Sequence, residues 1–157
     1  MLNVTIREAT SADAEAVAAV NASAVAKLRE TYRPNQAALA NKSAIADALT
    51  RLVAEHDGRV VGCVEYSLAD DRLHFLSLGV QADVRRQGIA RQLIDELARI
   101  GRRAGAQKLS TYTVTQTGNV AIFERMGFHV VSEEPSPYFE SDRFENITET
   151  YFECRIQ

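Results

Sequence analysis

Apolar and polar residues alternate from Leu2 to Arg7, the period-two pattern of a half-buried strand. Thr10, Ser11 and Asp13 then supply a helix start of the capping-box kind. The helix that follows is alanine-rich, with Val17, Val20, Val25 and Leu28 near one face. It ends before Pro34, because the residue before a proline is pushed out of helical geometry. The spacing predicts a second helical stretch from Gln36 to Arg51, anchored by Leu39, Ile45 and Leu49. Thr31-Tyr32-Arg33-Pro34-Asn35 links the two.

Strands come next. Leu52 to Glu55 and Val60 to Leu68 flank His56-Asp57-Gly58-Arg59, and Asp-Gly between apolar runs marks a hairpin. Ala69-Asp70-Asp71 makes a second turn. Leu73 to Val80 is apolar on both faces, as a central strand is. Gly79 near its end predicts a bulge or a close backbone approach. From Gly88, the residues Ile89, Leu93, Leu97 and Ile100 recur at helical spacing, with Gly101 and Gly105 marking the exit. Leu109 to Val114 is a strand, Gly118-Asn119 opens a short helix that ends at Gly127, and Phe128 to Val131 is a strand. Ser132 to Asn146 reads as a loop, longer than most connections, and Ile147 to Ile156 as a last strand. No repeat or linker divides this order, so the 157 residues are expected to form a single domain, 1–157.

Charge narrows the function classes. The net charge of −3 excludes nucleic-acid binding through global charge. The first residues lack the basic and then apolar regions of a secretory signal, and no apolar run approaches the roughly 20 residues of a membrane helix. A cytoplasmic protein with no nucleic-acid and no membrane partner is expected. Cys63 and Cys154 sit inside strand-like runs and lack metal-site spacing, so they are expected to be core residues, with no metal bound.

The candidate chemistry lies in Val84-Arg85-Arg86-Gln87-Gly88-Ile89-Ala90-Arg91-Gln92-Leu93. A strand, a short loop and a helix opening at glycine leave several N–H groups without helical partners, at the positive end of the helix dipole. Such a place binds phosphate. Gly88 permits close approach, Ala90 keeps it uncrowded, and Arg85 and Arg86 can add charge. The alternative is a plain helix start with solvated arginines.

The segment from Val80 to Ala90 resembles the acetyl-CoA signature of the GNAT (Gcn5-related) N-acetyltransferase superfamily, in which a valine ends a strand and R-x-x-G-x-G/A opens a helix. Asn119, followed by Phe123-Glu124-Arg125-Met126-Gly127-Phe128, is similar to the family's later segment, N-x-x-A-x-x-(Y/F)-E-(K/R)-x-G-F. The order of elements agrees over essentially the whole chain. The resemblance implies an α/β (α+β) GNAT fold: a mixed, mostly antiparallel sheet of about seven strands with about four helices. Its fourth and fifth strands splay apart, with acetyl-CoA in the gap. Backbone groups of Leu78, Gly79 and Val80 are then expected to meet the pantetheine arm. The amides of Arg86, Gln87, Gly88, Ile89 and Ala90 would hold the pyrophosphate, with Arg85 assisting. Asn119 would bond the pantetheine and Phe123 would lie near the thioester.

The implied reaction is direct acetyl transfer to an amine. Acceptors with a lysine-like pKa of about 10.4 must lose a proton before they can attack. His74 shares strand parity with Leu76, Leu78 and Val80 and is a candidate base; Glu65 is a second. Many relatives carry a tyrosine where this chain has Phe123, which has no hydroxyl to protonate a departing thiolate. For acceptor binding, the resemblance points to Tyr32, Arg33 and Tyr138, with Phe139 and Glu140 nearby. A small-molecule amine or amino acid derivative is the expected acceptor. A protein N-terminus or lysine, and a non-catalytic acyl-CoA sensor, stand as alternatives. The resemblance also raises a homodimer as an expectation.

Overall fold

The computed structural model describes residues 1–40 and 48–157. Its centre is one sheet of seven strands: β1 (Thr5–Glu8), β3 (Thr50–His56), β4 (Arg59–Ala69), β5 (Arg72–Val80), β6 (Lys108–Val114), β9 (Thr148–Arg155) and β7 (His129–Pro135), lying side by side in that order. All neighbours are antiparallel except β5 and β6, which run parallel. A separate two-stranded ribbon pairs β2 (Arg33–Pro34) with β8 (Phe139–Glu140). Helices α1 (Ala14–Leu28), α3 (Ile89–Arg103) and α4 (Val120–Arg125) are joined by a helical segment, α2, described over 36–40.

Local chemistry explains most of these boundaries. The Thr10 amide donates to the Asp13 carboxylate at 2.7 Å, which starts the chain into α1 through a short 3-10 turn. Arg7 forks onto the same carboxylate at 2.8 and 2.9 Å, holding it well below the ordinary range. The β3–β4 hairpin turns at Asp57 and Gly58, with φ of +50° and +76°, as its Asp-Gly pair predicts. Helix α3 buries Ile89, Leu93, Ile94 and Leu97 against Leu73, Phe75, Leu109 and Phe152. Each such side chain contributes roughly 1.5–3 kcal/mol of gross burial. On the other face, Val17 and Val20 of α1 pack on Val53, Val60 and Cys63. Both cysteines are free thiols.

Four expectations change. The predicted helix to Arg51 stops short: Thr50 and Arg51 already belong to β3, paired with Tyr66 and Glu65, and Ile45 lies outside the described residues. Gly101 is inside α3 rather than at its exit, where a Cβ would stand 2.8 Å from Ile156 Cδ1; Gly105, at φ +84°, makes the exit. The loop predicted from Ser132 contains the rest of β7 and the ribbon strand β8. Finally, Ser77 adopts φ +56° and the β4–β5 register shifts opposite it, so β5 carries a bulge that reverses its alternation. Leu73 and Phe75 face the α3 core before it, and Leu78 and Val80 do so after it. His74 therefore does not share a face with Leu78 and Val80.

Candidate active site

Strands β5 and β6 are paired only through Arg72↔Lys108, Leu73↔Leu109 and His74↔Ser110. The Thr111 hydroxyl then donates to the Phe75 carbonyl at 2.8 Å, and beyond it the strands part. These are the fourth and fifth strands of the main sheet, so the splay falls where the resemblance places it. The bulge at Ser77 supplies the local bend.

One wall of the gap is the free edge of β5. The Gln81 amide donates to Val61 carbonyl at 2.9 Å. By ladder alternation, Gly79 bonds across to Cys63, while the backbone groups of Val80 and Leu78 face the gap. Gly79 has a different reason to be glycine: its Cβ would lie 3.0 Å from Ala24 Cβ and 3.4 Å from Val20 Cγ1, under α1. The arginines divide their work. Arg85 Nε donates to the Val80 carbonyl at 3.1 Å and its Nη2 to the Ser23 carbonyl at 2.9 Å, so it fastens the loop to α1. Arg86 is exposed and holds φ +63°.

At the end of that strand the chain enters α3 through Gly88 at φ +83°. The first intrahelical bond runs from the Gln92 amide to the Gly88 carbonyl, 3.1 Å. The amides of Gln87, Gly88, Ile89 and Ala90 have no acceptor among the described residues. Left-handed residues beside a helix start make a concavity of N–H groups suited to an anion.

Across the gap, Asn119 precedes α4, and its carboxamide makes no capping bond. Its backbone amide donates to the Thr117 hydroxyl oxygen at 3.3 Å. The later family segment spaces its asparagine six residues before the aromatic position, whereas Asn119 stands four before Phe123 and Thr117 occupies the sixth. Phe123 is half-buried against Phe152, Phe128 and Phe75, with ring centroids at 5.3, 5.7 and 6.4 Å.

The face of the sheet opposite α3 carries His74, Ser110, Tyr112 and Tyr151. His74 Nδ1 lies 2.8 Å from Ser110 Oγ, and its ring meets Tyr112 edge-on at 5.5 Å. Burial, with the Arg72 charge nearby, lowers its pKa to about 4. The imidazole is thus neutral at physiological pH, able to accept a hydrogen bond but a weak proton sink. Glu65 pairs with Arg51 at 3.3 Å, and the Arg51 Nε is buried without another partner. The carboxylate is thus already engaged by a cation of its own sheet.

Tyr32, Arg33 and Tyr138 are brought together by the ribbon. Arg33 opposes Glu140 and ion-pairs with Asp142 at 2.9 Å and Glu140 at 3.5 Å. Its charge is thereby committed to its own chain. Tyr32 meets Phe139 edge-on at 4.8 Å, and the Asn35 amide donates to Tyr138 carbonyl at 2.8 Å. Tyr138 itself is exposed. Sequence reasoning missed Glu149, which β9 places on the same face as Tyr151. Its carboxyl is pushed up by burial, opposed by the Ser136 hydroxyl, and it forms no ion pair among the described residues. Only the alternation of β9 could have signalled it. A depression of about 540 Å³ between α1 and the β3–β4 hairpin lies away from this region. Its charged groups are already paired, Arg7 with Asp13 and Glu55 and Arg59 with Asp83.

The model of the acetyltransferase (GNAT) family matches residues 14–128. Among solved structures, the chain is similar to the ribosomal-protein-S18-alanine N-acetyltransferase of Escherichia coli. The TM-score is 0.76 at 16% identity, covering 99% of this chain and 95% of that one. Nourseothricin acetyltransferase gives 0.71 at 18% identity, covering 98% and 99%. A GNAT family acetyltransferase of Elizabethkingia anophelis with acetyl-CoA bound gives 0.70 at 14% identity, covering 98% of each. No curated protein sequence matches. Identities of this size carry the fold and leave the acceptor open.

Proposed function

The chain belongs to the acetyltransferase (GNAT) family, and from that footing we propose that it acetylates the primary amine of a small molecule or amino acid derivative, by direct attack of the amine on the thioester of acetyl-CoA. The observation that carries this reading is the gap between β5 and β6 with the unpartnered amides of Gln87 to Ala90 at its end. The residues fit such a co-substrate: bare amides for the pyrophosphate, a strand edge open at Leu78 and at the Val80 amide for the amide-bearing arm, and opposite it the Asn119 carboxamide, which has no partner among the described residues. When bound, acetyl-CoA supplies the activated acetyl group. Gly79 contributes by letting α1 close over β5, and Phe123 gives an apolar wall.

On the acceptor side, His74 holds a neutral imidazole at the apex of the gap. We assign it to accepting a hydrogen bond from the attacking amine and relaying the proton to solvent, rather than to retaining it. Glu65 is the weaker candidate because of its tie to Arg51. Glu149, with a half-buried carboxyl and no cation beside it, suits the ammonium form of the arriving amine. No hydroxyl at Phe123 protonates the thiolate, so its departure relies on the lower basicity of a thiol, with a pKa near 8.5.

The ribbon favours a small acceptor over a polypeptide: Tyr32 and Arg33 are stitched to 138–142 in a wall across this face. A thiol-release assay over a panel of amines and peptides, with acyl-CoA chain length varied, tests the reading. The expected result is release with small primary amines and acetyl-CoA. Release with peptides alone would transfer the assignment to a polypeptide acceptor. Micromolar binding without release above background would make the chain a sensor.

A further inference from the structure

The amides of the cradle need to be aimed as well as free, and the structure shows what aims two of them. Within a planar trans peptide the N–H points opposite to the C=O, and no peptide bond among the described residues is cis. Fixing a carbonyl from behind therefore fixes the amide of the next residue in front. The Gln87 carbonyl accepts the Leu2 amide at 2.9 Å, which sets the direction of the Gly88 N–H. The Gly88 carbonyl accepts the side-chain Nε2 of Gln92 at 3.2 Å, in addition to the Gln92 backbone amide, which sets the Ile89 N–H. Gln92 also ties down the segment that supplies the Leu2 amide: its Nε2 donates to Leu2 carbonyl at 2.7 Å, and its Oε1 accepts from the Val4 amide at 3.3 Å. The Met1 side chain closes the back of the turn, 3.0 Å from where a Gly88 Cβ would be.

We propose that Gln92 is a positioning residue for the coenzyme site, and that residues 1–4, strapped to α3 by its carboxamide, form the rear support that aims the Gly88 and Ile89 amides at the pyrophosphate. The arrangement uses a glutamine because the site needs a donor and an acceptor on one side chain, one turn into the helix. Arg85 cannot take this role, being committed to Val80 and Ser23. Fixing donors before the ligand arrives removes the ordering cost from binding.

The inference rests on the cradle being the coenzyme site, so calorimetry with coenzyme A on the wild-type protein comes first; absence of binding there defeats that assignment. Given wild-type binding, Gln92→Leu and the nearly isosteric Gln92→Glu are each expected to weaken coenzyme A at least tenfold. Leu2→Pro, which removes the other anchoring donor without touching α3, is expected to weaken it as well and to add less than its own full effect on top of Gln92→Leu. In turnover, KM for acetyl-CoA should rise with kcat held, and S-acetylpantetheine, which lacks the pyrophosphate, should be used equally well by wild type and variants. Wild-type coenzyme A affinity in Gln92→Glu and Leu2→Pro would overturn the proposal. So would an equal loss with both donors, which would mean a general disturbance of the fold.

Discussion

At Gly88 the backbone sits at φ +83°, a conformation that costs an L-residue with a Cβ about 1–2 kcal/mol. Gly88→Ala should therefore lower stability by roughly 1 kcal/mol and also disturb the amides it carries. Calorimetry should show coenzyme A binding weakened by more than that strain alone explains. His74 gives the molecule a pH dependence whose sign follows from its lowered pKa. The unfolded chain takes up the proton first, near the ordinary value of about 6.5, and the folded protein only near 4. Stability is thus fully present above pH 6.5 and is lost as pH falls from there through 4, by on the order of 3 kcal/mol. Melting curves should show His74→Gln losing less stability than wild type between pH 7 and pH 4.5. A wild-type and variant pair that fall in parallel would remove His74 as the cause.

At the scale of elements, the decisive contacts are those between neighbours that a strand or helix pattern does not reveal. The Thr10–Asp13 start of α1, the Asp57-Gly58 hairpin and the helix from Gly88 were legible because each depends on residues close in sequence. The bulge at Ser77 was not, since serine carries no signal for φ +56° and the alternation around it looks unbroken. That single residue moved His74 off the face of Leu78 and Val80. Gly79 was legible as a close approach, but not as the seat of α1. Gly79→Val should set methyl groups into Ala24 and Val20 and cost about 1–3 kcal/mol, read as a fall in Tm. The ribbon behaves differently. Its ion pairs are largely exposed, so Arg33→Ala should cost less than about 1 kcal/mol. By loosening the wall opposite the sheet, it should raise KM for the amine while leaving KM for acetyl-CoA unchanged.

Over the whole molecule, the order of elements and the cradle could be read from the chain because both rest on local rules, and the family model and the shared fold agree with the first of these. The acceptor face could not, because it is assembled across strands: Ser110 and Tyr112 become neighbours of His74, and Glu149 joins the same face farther along, opposite Val114, only through the register of β6 and β9. The parting of β5 from β6 has a further effect on the protein by itself. Sheets usually exchange their amide hydrogens with solvent from the rim inward, since central strands are sealed on both sides. Here two of the most central strands are unzipped over part of their length, so the order should be inverted locally. Deuterium should enter at Val80 and Leu78 well before it enters at Gly79, which is held by β4, and coenzyme A should slow the first two without altering the third. A protein built this way has a seam running into its middle, and in the proposed reading the coenzyme is the strand that closes it.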